Sequence, residues 1–181
     1  MDAKNDPFIP FLAAMCFFLS AVEYAIPKPI PILRIGLANL PVMLALSKLR
    51  FRDYTFLVFL KVMAQTFVSG TVFSYVFAFS AAGSFASALA MRCVYQLFAA
   101  RKQKPLAGCV GISTAGALAN NAAQLFLARY FLFGAGTRFI APLLLISGCV
   151  TGIALGIFAQ AFMARSKWVA SIPDGNFGGG R

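Results

Sequence analysis

Six long apolar segments, joined by loops whose positive charge alternates from heavy to light, constrain this chain more than any other feature. The heavy junctions hold Lys48, Arg50 and Arg52, then Arg101, Lys102 and Lys104, then Arg165 and Lys167. The light ones hold Lys28 and Arg34, then no cation, then Arg129 and Arg138. Short loops rich in Lys and Arg stay on the cytoplasmic side of a membrane, so this alternation predicts both a topology and an orientation. With a cytoplasmic start, ten cations fall inside: Lys4, the three heavy junctions and Arg181. Four fall outside, and Lys61 and Arg92 lie within spans, which accounts for all 16. Five or seven spans would destroy the pattern. The expectation is an all-α integral membrane protein of six transmembrane helices with both termini cytoplasmic, in a bacterial inner membrane.

Composition agrees. The chain is 60% hydrophobic and 12% charged, with a mean hydropathy of +0.81, whereas soluble domains carry about 45–50% apolar and about 25% charged residues. Once six spans are placed, 181 residues leave no room for a separate soluble domain, so residues 1–171 read as one membrane domain. Residues 172–181, with Pro173, Asp174 and four glycines, read as a disordered tail. The net charge of +11 would suit a nucleic-acid binder, but the cations cluster at the ends of apolar segments, where anionic lipid explains them. No nucleic-acid partner is expected. Cys16, Cys93, Cys109 and Cys149 stand singly in apolar runs and read as small buried hydrophobes. With no histidine and five acids, neither a metal centre nor a cofactor is expected. Residues 1–6 lack a basic leader, so the first apolar run reads as a retained span.

A helix crossing a core of about 30 Å needs about 20 residues. Spans are expected over 7–26, 35–49, 54–73, 75–100, 106–133 and 138–164. The second is short, and the stretch before it, 27–34, carries three prolines that forbid ordinary helix. At 68–74 two helices sharing a short turn are preferred over one bent helix. Membrane helices associate through small residues. Gly148, Gly152 and Gly156 form one ridge, Ala82 and Ala86 another, and Gly111, Ala115 and Ala119 a third. These place spans 4–6 in a tightly packed half. Each ridge can serve the fold alone or a partner helix, as can the pair Ala21 and Ala25.

Polar groups inside a membrane are costly, so each is a functional candidate. Span 5 holds Asn120, Asn121 and Gln124, which can bind a ligand or join helices. Arg34 and Asn39 open span 2, and with Arg129 and Arg138 they form either a cationic outer mouth or a set of snorkelling side chains. Glu23 is placed to pair with Arg34. Lys61 and Arg92 lie about 12 Å from the cytoplasmic ends of their spans, where they either snorkel or face polar groups of each other's helix, such as Gln65 or Gln96, or a partner subunit.

The stretches Arg34-Ile-Gly-Leu-Ala-Asn-Leu-Pro41 and Gly111-Ile-Ser-Thr-Ala-Gly-Ala-Leu-Ala-Asn-Asn-Ala-Ala-Gln124 resemble the membrane family of heptaprenyl diphosphate synthase component I, also called the Gx transporter family. That family is similar to the S components of energy-coupling factor (ECF) transporters. The resemblance implies a six-helix bundle that captures a small molecule from outside, under the first loop and among spans 4 to 6. It also implies an ECF coupling subunit and two ATPases as partners. Where the family pattern has a histidine, this chain has Asn120, which removes a proton-handling group. Of the alanine pattern on the first helix, only Ala21 and Ala25 match, near its outer end.

No phosphate-gripping Gly-x-x-x-x-Gly-Lys loop is present, so ATP hydrolysis would belong to partners. The expected role is substrate binding, not catalysis, with Arg34, Asn39, Asn120, Asn121, Gln124, Arg129 and Arg138 as the candidate binding residues. Prenyl diphosphate chemistry needs clustered aspartates holding magnesium. Asp2, Asp6, Asp53 and Asp174 are scattered, so the alternative role is a non-catalytic membrane subunit in polyprenyl diphosphate or quinone synthesis. A structural subunit of a membrane complex is the third.

Overall fold

The computed structural model describes residues 8–26, 36–71, 74–100 and 108–165. Among them the chain forms six α-helices and no strand: α1 (Phe8–Ala25), α2 (Asn39–Ala45), α3 (Phe51–Ser69), α4 (Tyr75–Ala100), α5 (Cys109–Ala128) and α6 (Thr137–Arg165). A π-helical turn, Arg129–Phe133, and a 3₁₀ turn, Gly134–Gly136, carry α5 into α6. Arg34, Lys28, the cations of 101–104 and the tail at 172–181 lie outside the described residues.

The junction after α3 is built locally. Gly70 takes a left-handed conformation (φ 67°), and its N–H and that of Thr71 return to the carbonyls of Phe67 and Thr66 at 3.2 and 3.1 Å. Those bonds close the helix end in the manner of a glycine C-cap. α4 begins four residues later, so the two-helix expectation matches the structure.

α2 departs from it. Its seven residues rise only about 10 Å, a third of the distance across a bilayer core. Two further turns of hydrogen bonding carry the chain to Leu49, whose N–H reaches the Ala45 carbonyl at 2.9 Å. Leu40 to Ala45 are all buried, against α1 and α3. A short helix with loose ends is tolerable at membrane depth only where protein surrounds it, and here it does.

The remaining helices divide into halves. In the first, Leu12 and Cys16 of α1 meet Val42 and Leu46 beside Leu57 and Val58 of α3, and Met91 and Ile112 of the other half close the same core. In the second, α5 packs between α4 and α6. A Cβ placed on Gly156 would stand 2.5 Å from the Val110 Cα, and one on Gly152 2.8 Å from the Thr114 Cα. The glycine ridge of α6 therefore brings two backbones into contact. Its partner is α5 of the same chain, and this face is not open to another subunit. Gly116 similarly faces the Met91 side chain, 2.6 Å from where its Cβ would be. Ala82, Ala86 and Ala21 are half-buried, and Ala25 is exposed.

Large apolar side chains cover the outside: Phe18, Phe67, Phe131, Phe139 and Ile146 are each more than 60% exposed. Extended apolar exposure of this kind marks a surface made for lipid or a partner. α6 and the stretch Tyr75–Leu97 of α4 are long and apolar enough to cross a membrane, and only 22% of the most apolar part of α6 is buried. A core helix of a soluble protein would show the reverse. The described residues form an all-helical, membrane-associated bundle.

Candidate functional site

Along α3 the buried positions run Tyr54, Leu57, Val58, Lys61, Val62, the three- and four-residue steps of one helix face. Lys61 thus points into the bundle, 5% exposed, and of the two alternatives it takes the inward one, facing polar groups of neighbouring helices. A buried ammonium must be hydrogen-bonded to persist. Its Nζ donates to Asn39 Oδ1 of α2 and to Ser84 Oγ of α4, the latter at 3.2 Å. Asn39 is held in place by the turn before it. Gly36, at φ 82°, adopts a backbone that side chains disfavour, and its carbonyl accepts the Asn39 N–H at 2.8 Å. Glu23 of α1, 4% exposed, accepts the Gly36 N–H at 3.1 Å. One carboxylate therefore anchors the turn that positions the amide that receives the lysine.

From the other side α5 contributes Asn120 and Asn121. Neighbours on a helix diverge by about 100°, and here one faces α4 and the other α6. Gly83 leaves the room for Asn120, and Gly148 for Asn121; a Cβ on either glycine would collide with the amide. The amides form a relay along α5 that ends on α6. Gln124 Nε2 donates to Asn120 Oδ1 (3.4 Å), Asn120 Nδ2 to Asn121 Oδ1 (3.3 Å), and Asn121 Nδ2 to the Leu144 carbonyl (2.6 Å).

Glu23, Asn39, Lys61, Ser84, Asn120 and Asn121 line one central cavity, joined by Gln65, Ser113 and Thr151. Its volume is about 30 Å³, space for about one or two water molecules. It holds both signs of charge, hydroxyls and amides. Chemically it can grip a small polar group by an ammonium and several amide donors, but only if the helices part.

Of the residues singled out from sequence, Asn39, Asn120 and Asn121 converge on this cavity, while Gln124 lines a second, apolar one. Arg129 and Arg138 do not join them. Both are exposed, and the Arg138 guanidinium stacks on the Phe139 ring at 5.0 Å. The cation at the cavity is Lys61. Arg92 is buried against the rings of Phe51 and Tyr54 at 5.4 and 5.3 Å, a cation–π setting. Cys16 and Cys109 are buried as expected, but Cys93 is exposed. Lys61 and Glu23 went unassigned to the site, although the register of Lys61 with Tyr54, Leu57 and Val58 is a signal that could have placed it.

A helical membrane-associated protein with a polar cavity between its helices is the class these features define. More narrowly, the family model described as heptaprenyl diphosphate synthase component I, the Gx transporter family, matches residues 12–162, and the chain belongs to that family. No curated protein and no solved structure matches it.

Proposed function

We propose that this chain is a membrane-embedded, S-component-like binding subunit for uptake of a small polar or anionic metabolite. It crosses the bacterial inner membrane six times with both termini cytoplasmic. ECF-type coupling and ATPase subunits supply the energy. The observation that carries this reading is the burial of Lys61, bonded to Asn39 and Ser84, in a polar cavity that Asn120 and Asn121 also line. A protein keeps such a group within an apolar bundle at a cost that a ligand-binding role explains. Asn39, Asn120 and Asn121 contribute donors and acceptors, and Lys61 contributes the charge. Arg34, at the start of the second span, is the candidate rim residue. A ligand larger than the 30 Å³ cavity needs the lining helices to separate.

Native mass spectrometry of protein extracted from its own membrane tests this. A small molecule retained by the wild type and lost from Lys61→Met and Asn120→Leu, both still folded, is the expected result. Retention unchanged in both variants sinks the assignment. Copurifying ATPase subunits would establish the energy source.

The name of the family favours a second reading, a non-catalytic membrane subunit of heptaprenyl diphosphate synthesis. A synthase assay with and without this chain separates the two, since a transport subunit leaves prenyl product length and yield unchanged.

A further inference from the structure

The polar cavity at Lys61 has an apolar neighbour, at the end of the bundle where α5 passes into α6. That second cavity measures about 420 Å³, within the range of about 300–1,000 Å³ that small-molecule sites occupy. Phe79 of α4, Leu125 of α5 and Ile140 of α6 line it, and none of its described lining residues is charged. The wall between the two cavities is one pair of amides thick. Asn120 lines the polar cavity and Gln124, one turn further along α5, lines the apolar one. Gln124 Nε2 reaches Asn120 Oδ1 at 3.4 Å. Beside them Asn121, of the polar cavity, bonds the carbonyl of Leu144, a residue of the apolar one, at 2.6 Å.

Gln124 is the part of this wall that can move. Its bond to Asn120 is longer than an ordinary hydrogen bond, and it sits over Gly83, where no side chain of α4 holds it. Turned aside, it joins a small charged chamber to a large apolar one. Resting on the reading of the polar cavity as a ligand site, we propose that the ligand is an alkyl monocarboxylate. Its carboxylate enters the polar cavity to pair with Lys61, and its hydrocarbon chain fills the apolar one. The sizes agree with this division. About 30 Å³ holds a group the size of one or two water molecules, which suits a carboxylate and little more. A ligand that places only its head beside Lys61 needs Gln124 to rotate, and the helices stay packed. A phosphate ester is a poorer match, because it brings up to two negative charges. Glu23 lines the same cavity as Lys61, and one ammonium beside a carboxylate leaves a buried dianion uncompensated. A neutral amphiphile draws nothing from the charge of Lys61.

The test uses the full chain in nanodiscs of neutral lipid and a decanoate with a diazirine at its far end, the labelled positions being mapped by mass spectrometry. Labelling should fall on the lining of the apolar cavity. Lys61→Met should weaken it about tenfold, the worth of one hydrogen bond to a charged group, and leave labelling by the matching decanol unchanged. Leu125→Trp, which fills the apolar cavity, should abolish decanoate labelling. Should the variants misfold, the wild type still decides: decanoate should compete about tenfold better than its methyl ester at equal membrane content. Decanoate labelling that is indifferent to Lys61→Met overturns the proposal, as does equal competition by the ester. Decyl phosphate competing as well as decanoate overturns the carboxylate assignment. An acyl-diazirine phospholipid that labels the cavity and resists decanoate would make it a lipid site and overturn it as well. If native mass spectrometry finds a polar molecule that Lys61→Met loses while decanoate labels nothing, this proposal falls and the polar site stands.

Discussion

Replacing Gly156 with alanine adds one methyl group at the tightest backbone approach in the molecule. Its Cβ would stand 2.5 Å from the Val110 Cα and 3.2 Å from the Cys109 carbonyl oxygen. Ordinary contact begins near 3.4 Å, so α6 must retreat by close to an ångström, and no side chain can rotate away to spare it. Overpacking of this kind costs about 1–3 kcal/mol, and an obstacle made of backbone puts it at the upper end. Alanine returns about 1 kcal/mol through helix propensity, leaving a net loss of about 2 kcal/mol. For a chain of this size that amounts to a fall in thermal midpoint of roughly 4–8 °C, measurable on the detergent-purified protein. Gly136→Ala is the control: an added Cβ there meets nothing within 4 Å, and its midpoint should stay within about 2 °C of wild type. A Gly156→Ala protein as stable as that control would refute the backbone contact between α5 and α6. The same result would remove the packing account of the glycine ridge.

Other consequences are more local. Tyr54→Phe removes a phenolic hydroxyl that donates to the Ala88 carbonyl at 3.0 Å, and chemical denaturation should show a loss of about 1 kcal/mol. Glu23→Ala frees the Gly36 N–H and should lower the thermal midpoint, whereas Glu23→Gln retains an acceptor oxygen and should recover most of it. Equal losses in the two would mean that the Gly36 contact contributes nothing. In detergent, maleimide should modify exposed Cys93 well before buried Cys16 and Cys109, a ranking that peptide mapping reads directly.

Much of the helical framework was legible before any coordinates. The run 75–100 coincides with α4, because twenty or more apolar residues without a break leave a helix as the one way to satisfy the backbone in lipid. Ser69-Gly70 announces a helix end, since glycine alone takes the left-handed cap without strain. The four-residue glycine spacing of α6 likewise implies close approach to a helix, though not to which one. α2 was not legible as it stands. Its apolar run suggests a span, but whether such a run crosses lipid or hides inside the bundle depends on what surrounds it. Nor was the candidate site. Asn39 and Asn120 are 81 positions apart in sequence and meet at one cavity, while Arg138, grouped with them by loop position, turns outward onto Phe139.

By itself, then, the amino-acid sequence determined what is local: helical segments, their ends, the small-residue ridges and the excess of apolar surface. These follow from hydrophobicity and backbone hydrogen bonding within about twenty consecutive residues. Only the tertiary structure decided which polar groups share an interior. That depends on how each helix is rotated about its own axis, and packing against neighbours sets the rotation. Gly83 and Gly148 admit Asn120 and Asn121, and the inward face of α3 turns Lys61 away from solvent and toward Asn39 and Ser84.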